Sequence, residues 1–204
     1  MIRKTLFAFA ALLFLTSLCH AQTGNVAIVG GGAFNSNSMG YRRAAPELSF
    51  DLDFRKRRVE FVNRFQVDWS EKLKTGQGWQ INESAIGRYY LLPNFFVGGG
   101  GRISHLDAGP VIKKSNFSPL IQTGFLLVSG EKFSAIPYIT IRPVQFGFKN
   151  ETKGFEAGTE FWYPIGRRFG LKGHAQIGTL WFKVGEEHRR GTTGDLLFGV
   201  YWRF

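Results

Sequence analysis

The eleven residues that close the chain, Gly194 to Phe204, constrain its fold most tightly. In GDLLFGVYWRF, Leu196, Phe198, Val200, Trp202 and Phe204 occupy every second position, with Asp195, Gly199, Tyr201 and Arg203 among those between them. A two-residue period belongs to a β-strand, whose successive side chains leave on opposite faces. The stretch also matches the ~9 to 11 tilted residues with which a strand crosses the hydrocarbon of a bilayer. The same pattern suits the last strand of a soluble sandwich or lipocalin-like barrel, whose apolar face points inward. The rest of the chain has to choose between the two.

Met1 to Ala21 has the three parts of a secretory signal: Arg3 and Lys4, an apolar run from Leu6 to Leu18, and Cys19-His20-Ala21 at the cleavage region. Cleavage is expected before Gln22, leaving residues 22–204 as one domain. Leu18 is too bulky to precede a lipidated cysteine, and the apolar run is shorter than the ~20 residues of a spanning helix. Cleavage removes Cys19, the only cysteine. Disulfides, thiol catalysis and cysteine metal sites are thereby excluded from the mature chain. No later segment approaches the length of a transmembrane helix, so any crossing is made by strands.

Beyond Gln22 the chain reads as ten strands. Asn25 to Asn35 contains Gly30-Gly31-Gly32 and superficially matches a dinucleotide fingerprint. That fingerprint needs a third glycine where Asn35 stands and a helix after it, and Ser36 to Pro46 is turn-rich. A glycine-rich first strand is the better account, with the missing side chains leaving room for long residues reaching across a narrow barrel. Leu48 to Phe54 and Arg58 to Trp69 then form a hairpin around the basic turn Arg55 to Arg58. Further strands are expected at 79–91, 95–106, 119–128, 133–146, 155–163, 170–182 and 194–204. Glu83 shares the phase of Trp79 and Ile81, so it lies above the hydrocarbon or a bulge shifts the register. Pro137 and Pro143 argue against a uniform ladder in the seventh strand.

Connections alternate. Polar loops are expected after strands 1, 3, 5, 7 and 9 and short turns after 2, 4, 6 and 8, the pattern of a transmembrane barrel with both termini at one end. Trp69, Trp79 and Trp181 adjoin the long loops. Phe54, Tyr89, Phe95, Tyr163, Trp202 and Phe204 adjoin the short turns or the C-terminus, giving a girdle at each boundary. With the apolar face outward, the lumen receives Asp51, Asp53, Glu60, Arg64, Asp68, Arg88, Arg102, Arg142, Glu156, Glu160, Lys172 and His174. Such charges have to pair away from water. A salt-bridged, largely filled interior is therefore expected rather than a wide channel, since open porins use ~16 to 18 strands.

The signal peptide, Ile28-Val-Gly-Gly-Gly32, the segment Gly158 to Leu171 and the ending Gly199-Val-Tyr-Trp-Arg-Phe204 resemble the small bacterial outer-membrane protein β-barrel domain family, porin-like proteins that more often have eight strands. The resemblance covers the whole mature chain. It implies an all-β transmembrane antiparallel up-and-down barrel in the outer membrane, with Val200, Trp202 and Phe204 forming the signal read by the barrel-assembly machinery.

Formal charge is +11, or +9 once Arg3 and Lys4 are lost. An exported chain does not meet nucleic acid, so the anion available to it is lipopolysaccharide phosphate or core sugar acid around it in the membrane. Arg42, Arg43, Lys113, Lys114, Arg189 and Arg190 fall in the expected outer loops and are the candidate contacts. A solvated basic surface explains them as well.

Some small outer-membrane barrels modify lipid A, so Ser104-His105-Leu106-Asp107 is the stretch to weigh for catalysis. The deacylases that it resembles have a serine two residues after the histidine, where this chain has Asp107. His105 is accordingly read as a boundary residue, His174 as a lumen hydrogen-bonding residue and His188 as a solvated one. No histidine cluster has metal-ligand spacing, and no cofactor is expected. The reading is a non-enzymatic outer-membrane protein with a structural or cell-surface interaction role, or a narrow pore. The alternatives are a lipid A-modifying enzyme and a soluble periplasmic barrel with an apolar ligand.

Overall fold

The alternation becomes a closed antiparallel meander. The computed structural model describes residues 23–37, 42–73, 76–107, 113–129, 133–147, 152–184 and 186–204. Its strands are β1 (Thr23–Asn37), β2 (Arg42–Lys56), β3 (Val59–Leu73), β4 (Gly76–Leu92), β5 (Phe95–Asp107), β6 (Lys113–Phe125), β7 (Leu127–Ser129), β8 (Phe133–Arg142), β9 (Thr152–Pro164), β10 (Phe169–Val184) and β11 (Glu187–Arg203). β11 pairs with β1 and closes the ring.

β6 and β7 are one stave. Ile121 faces Ile141 and Leu127 faces Ala135 in an unbroken register. The ladder lapses between them beside Pro137, which has no N–H to donate. The Leu126 N–H bonds the Asn94 carbonyl at 2.7 Å instead. The barrel therefore has ten staves, as the sequence pattern predicts. The second proline, Pro143, directly follows the end of β8.

Register fixes the cross-section. Stepping between ladder partners, Thr23 leads through Arg55, Glu60, Arg88, Gly98, Gln122, Thr140, Glu156, Gly178 and Thr193 back to β1 at Asn35, twelve residues further on. A stagger of about 40 Å around a girth of about 48 Å tilts the strands by about 40° and sets a radius near ~10 Å.

The two faces are inverted relative to a soluble barrel. Phe198 is 61% exposed, whereas its neighbour Leu197 is fully buried. Asp51, Glu156, Lys172 and His174 are buried on the inside. The outward set on β3 runs from Val59 to Trp69, a rise of about 25 Å at this tilt, which is the height of a lipid-facing band. Of the expected girdle, Trp69, Tyr89, Tyr163, Trp181, Trp202 and Phe204 are exposed. Phe54 is buried and packs edge-on against Phe204 with centroids 6.0 Å apart.

Three expectations change. Most of four of the five expected long loops is strand: β3 runs to Leu73, β4 starts at Gly76, β10 reaches Val184 and β11 starts at Glu187, whereas the strand expected over 133–146 ends early, at Arg142. Backbone groups there still gain partners by extending the ladder, but polar residues on both faces erase the period that marks a strand in sequence. Glu83 stays outward without a bulge, paired between Phe65 and Ile103. The register shifts of β4 lie at its ends, against Ser70–Leu73 and between Tyr90 and Leu92. The β1 glycines do not make room for long residues, since a Cβ on Gly31 would lie 2.0 Å from the Leu196 carbonyl oxygen. That logic applies on β9 and β10, where Gly154, Gly158 and Gly178 admit Arg142, Tyr138 and Glu156.

Candidate functional site

At the short-turn end the inward positions are aromatic. Tyr90, Phe96, Tyr138, Trp162 and Tyr201, with Ala27 and Ile136, form one buried cluster. Tyr90 meets Phe96 at 5.5 Å and Trp162 meets Tyr201 edge-on at 5.0 Å. The Lys172 ammonium lies 4.2 Å from the Trp162 ring centre and the Arg88 guanidinium 4.8 Å from that of Phe96, contacts that strengthen where water is excluded. Sequence reasoning missed this floor. Its signal was phase: Tyr90 alternates with Arg88, Trp162 with Glu160 and Tyr138 with Arg142, all on the charged face.

Ion pairs fill the middle of the lumen. Glu160 receives Arg88 at 2.8 Å and Arg64 at 3.3 Å, and Glu60 receives Arg88 at 3.3 Å. Lys172 sits between Asp51 at 2.7 Å and Asp53 at 3.1 Å, and Arg64 Nε reaches Asp51 at 3.3 Å. Neutral groups complete the layer: Ser49 donates to Asp51 at 2.6 Å, and Arg88 Nε donates to Gln122 at 2.8 Å. Each charge taken from water therefore has a close counter-charge, which burial demands.

His174 connects this layer to the next. Arg64 Nη1 lies 3.0 Å from Nε2, and a guanidinium only donates, so Nε2 accepts. Nδ1 lies 2.7 Å from Asp195 Oδ1, and the Tyr138 hydroxyl lies 2.6 Å from Nε2. On the far side Glu156 takes Arg102 through two contacts of 2.8 and 3.1 Å and Arg142 at 2.6 Å. Above these groups, toward the C-terminal end of β1, lies a polar cavity of about 340 Å³ whose lining includes Glu47, Asp68, Asp195, Arg102, Arg142 and Asn116. Sequence reasoning placed Asp68, Arg102 and Arg142 here and missed Glu47, Asn116 and Asp195.

No family model matches the sequence, and no curated protein matches it. Solved structures do. The fold is similar to the outer membrane protease OmpT from Escherichia coli, with a TM-score of 0.60 and 8% identity over 91% of this chain and 98% of that one. Neisserial surface protein A gives 0.45 and 15% over 89% and 97%, and Ail of Yersinia pestis gives 0.44 and 11% over 89% and 98%. This is the fold of an outer-membrane β-barrel. The eleven charged residues assigned to its lumen face inward with His174, and among the described residues no group of three or more His, Cys, Asp or Glu is placed to hold a metal ion.

Arg189 and Arg190 are strand residues of β11 rather than loop residues. Arg189 pairs with Glu187, and Arg190 contacts Thr179 at 3.4 Å. Arg42 and Arg43 open β2 and Lys113 and Lys114 open β6, and their side chains lie outside the described residues. Ser104 points into the lumen, away from His105. His105 instead faces outward, with Nδ1 2.7 Å from Ser115 Oγ and its ring 5.3 Å from Trp79. Val200, Trp202 and Phe204 are exposed, and Phe204 exchanges backbone hydrogen bonds of 3.0 and 3.2 Å with Gly24.

Proposed function

We propose that this chain is a non-enzymatic protein of the bacterial outer membrane, exported with cleavage before Gln22, whose lumen is plugged rather than conducting. The observation that carries the reading is two stacked layers of inward side chains. An aromatic floor closes the short-turn end, and directly above it Arg64, Arg88 and Lys172 are locked to Asp51, Asp53, Glu60 and Glu160. Ions crossing such a lumen would have to break buried pairs, each break leaving an uncompensated charge. The protein then works at its surfaces. Its basic residues at the long-connection end meet lipopolysaccharide phosphate, its apolar belt meets lipid, and Val200, Trp202 and Phe204 present the terminal strand to the assembly machinery.

Planar-bilayer recording of the refolded mature chain tests the plug. No discrete steps are expected, and reproducible unitary conductance would refute it. A second reading, a lipid-modifying enzyme, draws on one observation, the outward His105–Ser115 contact. Incubation with lipid A is expected to leave the acyl chains intact. Deacylation or acyl transfer that disappears in His105→Ala would replace the non-enzymatic reading.

A further inference from the structure

We propose that the outward face of β3, β4 and β5 docks a second copy of this chain within the membrane, as a two-fold dimer. The inference concerns the outside of the barrel, not the plug or the polar cup above it, and it holds whether or not the lumen conducts. It starts from polar groups in the apolar belt. Asn63 and Glu83 both point outward, and neither side chain hydrogen-bonds or ion-pairs with a described residue. Glu83 lies four residues from Trp79 and six from Tyr89 on β4, which at the barrel's tilt is about 10 and 16 Å along the membrane normal. Asn63 lies as far inside the belt, between Val59 and Trp69 on β3. Hydrogen-bonding groups held in hydrocarbon destabilise the inserted chain until a partner covers them.

Register lines these groups up along the normal. The ladder partner of Asn63 is Ala85, and two residues up β4 from it is Glu83. The partner of Glu83 is Ile103, and two residues up β5 is His105. Each such move climbs about 8 Å, while its two sideways components, about 4 Å each, cancel. Asn63, Glu83 and His105 therefore stand one above another. A two-fold axis parallel to the normal can run along all three, and a two-fold interface has to complement itself. This column does. The Asn63 carboxamide carries donor and acceptor and pairs with its own copy. Glu83 of each copy meets His105 of the other, acid against base twice over, because Ser115 engages only Nδ1 of that ring, at 2.7 Å.

The flanks match as well. On the β2 side of the column stand Phe50 and Phe65, ladder partners that are both exposed. On the β5 side are Ala85, Gly87 and Gly99. A Cβ on Gly87 or Gly99 would meet nothing nearer than a backbone oxygen, at 3.9 or 3.8 Å, so this flank is a hollow. The two-fold carries the phenylalanines of each copy over the hollow of the other. A lipid chain fills the hollow too, but it offers no partner to the carboxamide or the carboxyl.

Energy transfer between donor- and acceptor-labelled copies of the refolded mature chain in lipid vesicles, followed as lipid dilutes the protein, tests the dimer. Transfer that fits pairs is expected. Glu83→Leu takes the carboxyl out of the belt and should weaken association at least tenfold without lowering the urea midpoint, which loss of a merely structural glutamate would lower. Gly87→Leu, whose side chain enters the hollow, should weaken it at least tenfold too. Ala157→Leu, on β9 five staves from β3, should leave it within twofold. In the same vesicles a short bismaleimide should join copies carrying Asn63→Cys and not copies carrying Ala157→Cys. Folded protein without transfer, a dimer indifferent to both β4 substitutions, or cross-linking at Ala157 as efficient as at Asn63 would overturn the proposal. If a β4 variant fails to fold, transfer by the unaltered chain and the two cross-linking positions decide alone.

Discussion

Replacing Glu160 by glutamine measures how dry the lumen is. Glu160 is 2% exposed, accepts from Arg88 at 2.8 Å and is ion-paired with Arg64 at 3.3 Å. Glutamine keeps the volume and one acceptor oxygen but removes the charge that two guanidiniums share. Breaking a buried ion pair from one side costs about 3–5 kcal/mol, because the partner stays buried and uncompensated. With an m-value of about 2 kcal/mol per molar urea, the unfolding midpoint should fall by roughly 1.5–2.5 M. Glu187→Gln is the control. It breaks the pair with Arg189, in which the Glu187 side chain is 67% exposed. Solvent screening limits such a pair to below about 1 kcal/mol, so the midpoint should move by less than about 0.5 M. Tryptophan fluorescence during urea unfolding and refolding in micelles reads both, with coincidence of the two directions showing equilibrium. Equal small shifts for the two variants would mean that water screens the interior. The salt-bridged layer would then not seal the lumen.

Phe198→Arg places a charge on the lipid-facing belt and should cost about 2–4 kcal/mol near the bilayer midplane. A spin label at Phe198 should collide with oxygen and not with a water-soluble nickel chelate, and the reverse would invert the barrel. Gly100→Val should abolish folding, because a Cβ there would lie 1.9 Å from the Ala85 carbonyl oxygen. A native heat-modifiable band on gels would show that the two backbones part more easily than the register allows. Deleting Phe204 removes its two bonds to Gly24 and its packing on Phe54, about 2 kcal/mol together. The amount of folded protein in the outer membrane should fall by much more than that loss explains, and a matched decline would mean that the last residue only stabilises.

The lipid-facing belt and the charged lumen were legible because both follow strict alternation. Leu196 to Phe204 alternates outward, and Glu156, Glu160, Lys172 and His174 follow the same rule inward. What the sequence concealed has two physical causes. Where a strand leaves the membrane, as β11 does at His188, Arg189 and Arg190, both faces meet polar surroundings and the period disappears while the ladder continues. Conversely, Tyr90, Phe96 and Trp162 are as apolar as the belt, so residue type alone assigns them to lipid. Only counting from Arg88, Arg102 and Glu160 turns them inward. Pairing is a third, partial case: Asp51 and Lys172 are 2.7 Å apart in space and on strands whose apposition no spacing reveals.

The stagger of twelve ties these features together. It sets a radius near ~10 Å, so inward side chains from opposite walls meet if they are long and leave a gap if they are short. Near the short turns the inward residues are long. Arg64, Arg88, Lys172 and the aromatic rings span the lumen and interlock, which forces every charge among them to be paired. Higher up, the inward positions include the shorter Ser104, Asn116 and Asp195, while Arg102 and Arg142 are both drawn to Glu156, and the centre stays open. Plug and cup are thus consequences of one cross-section filled by side chains of different length. Lengthening the upper set tests this directly: Asn116→Arg should narrow the cup while leaving intact the ion pairs beneath, read as an unchanged urea midpoint. A midpoint that fell by as much as that of Glu160→Gln would show the two layers to be mechanically one.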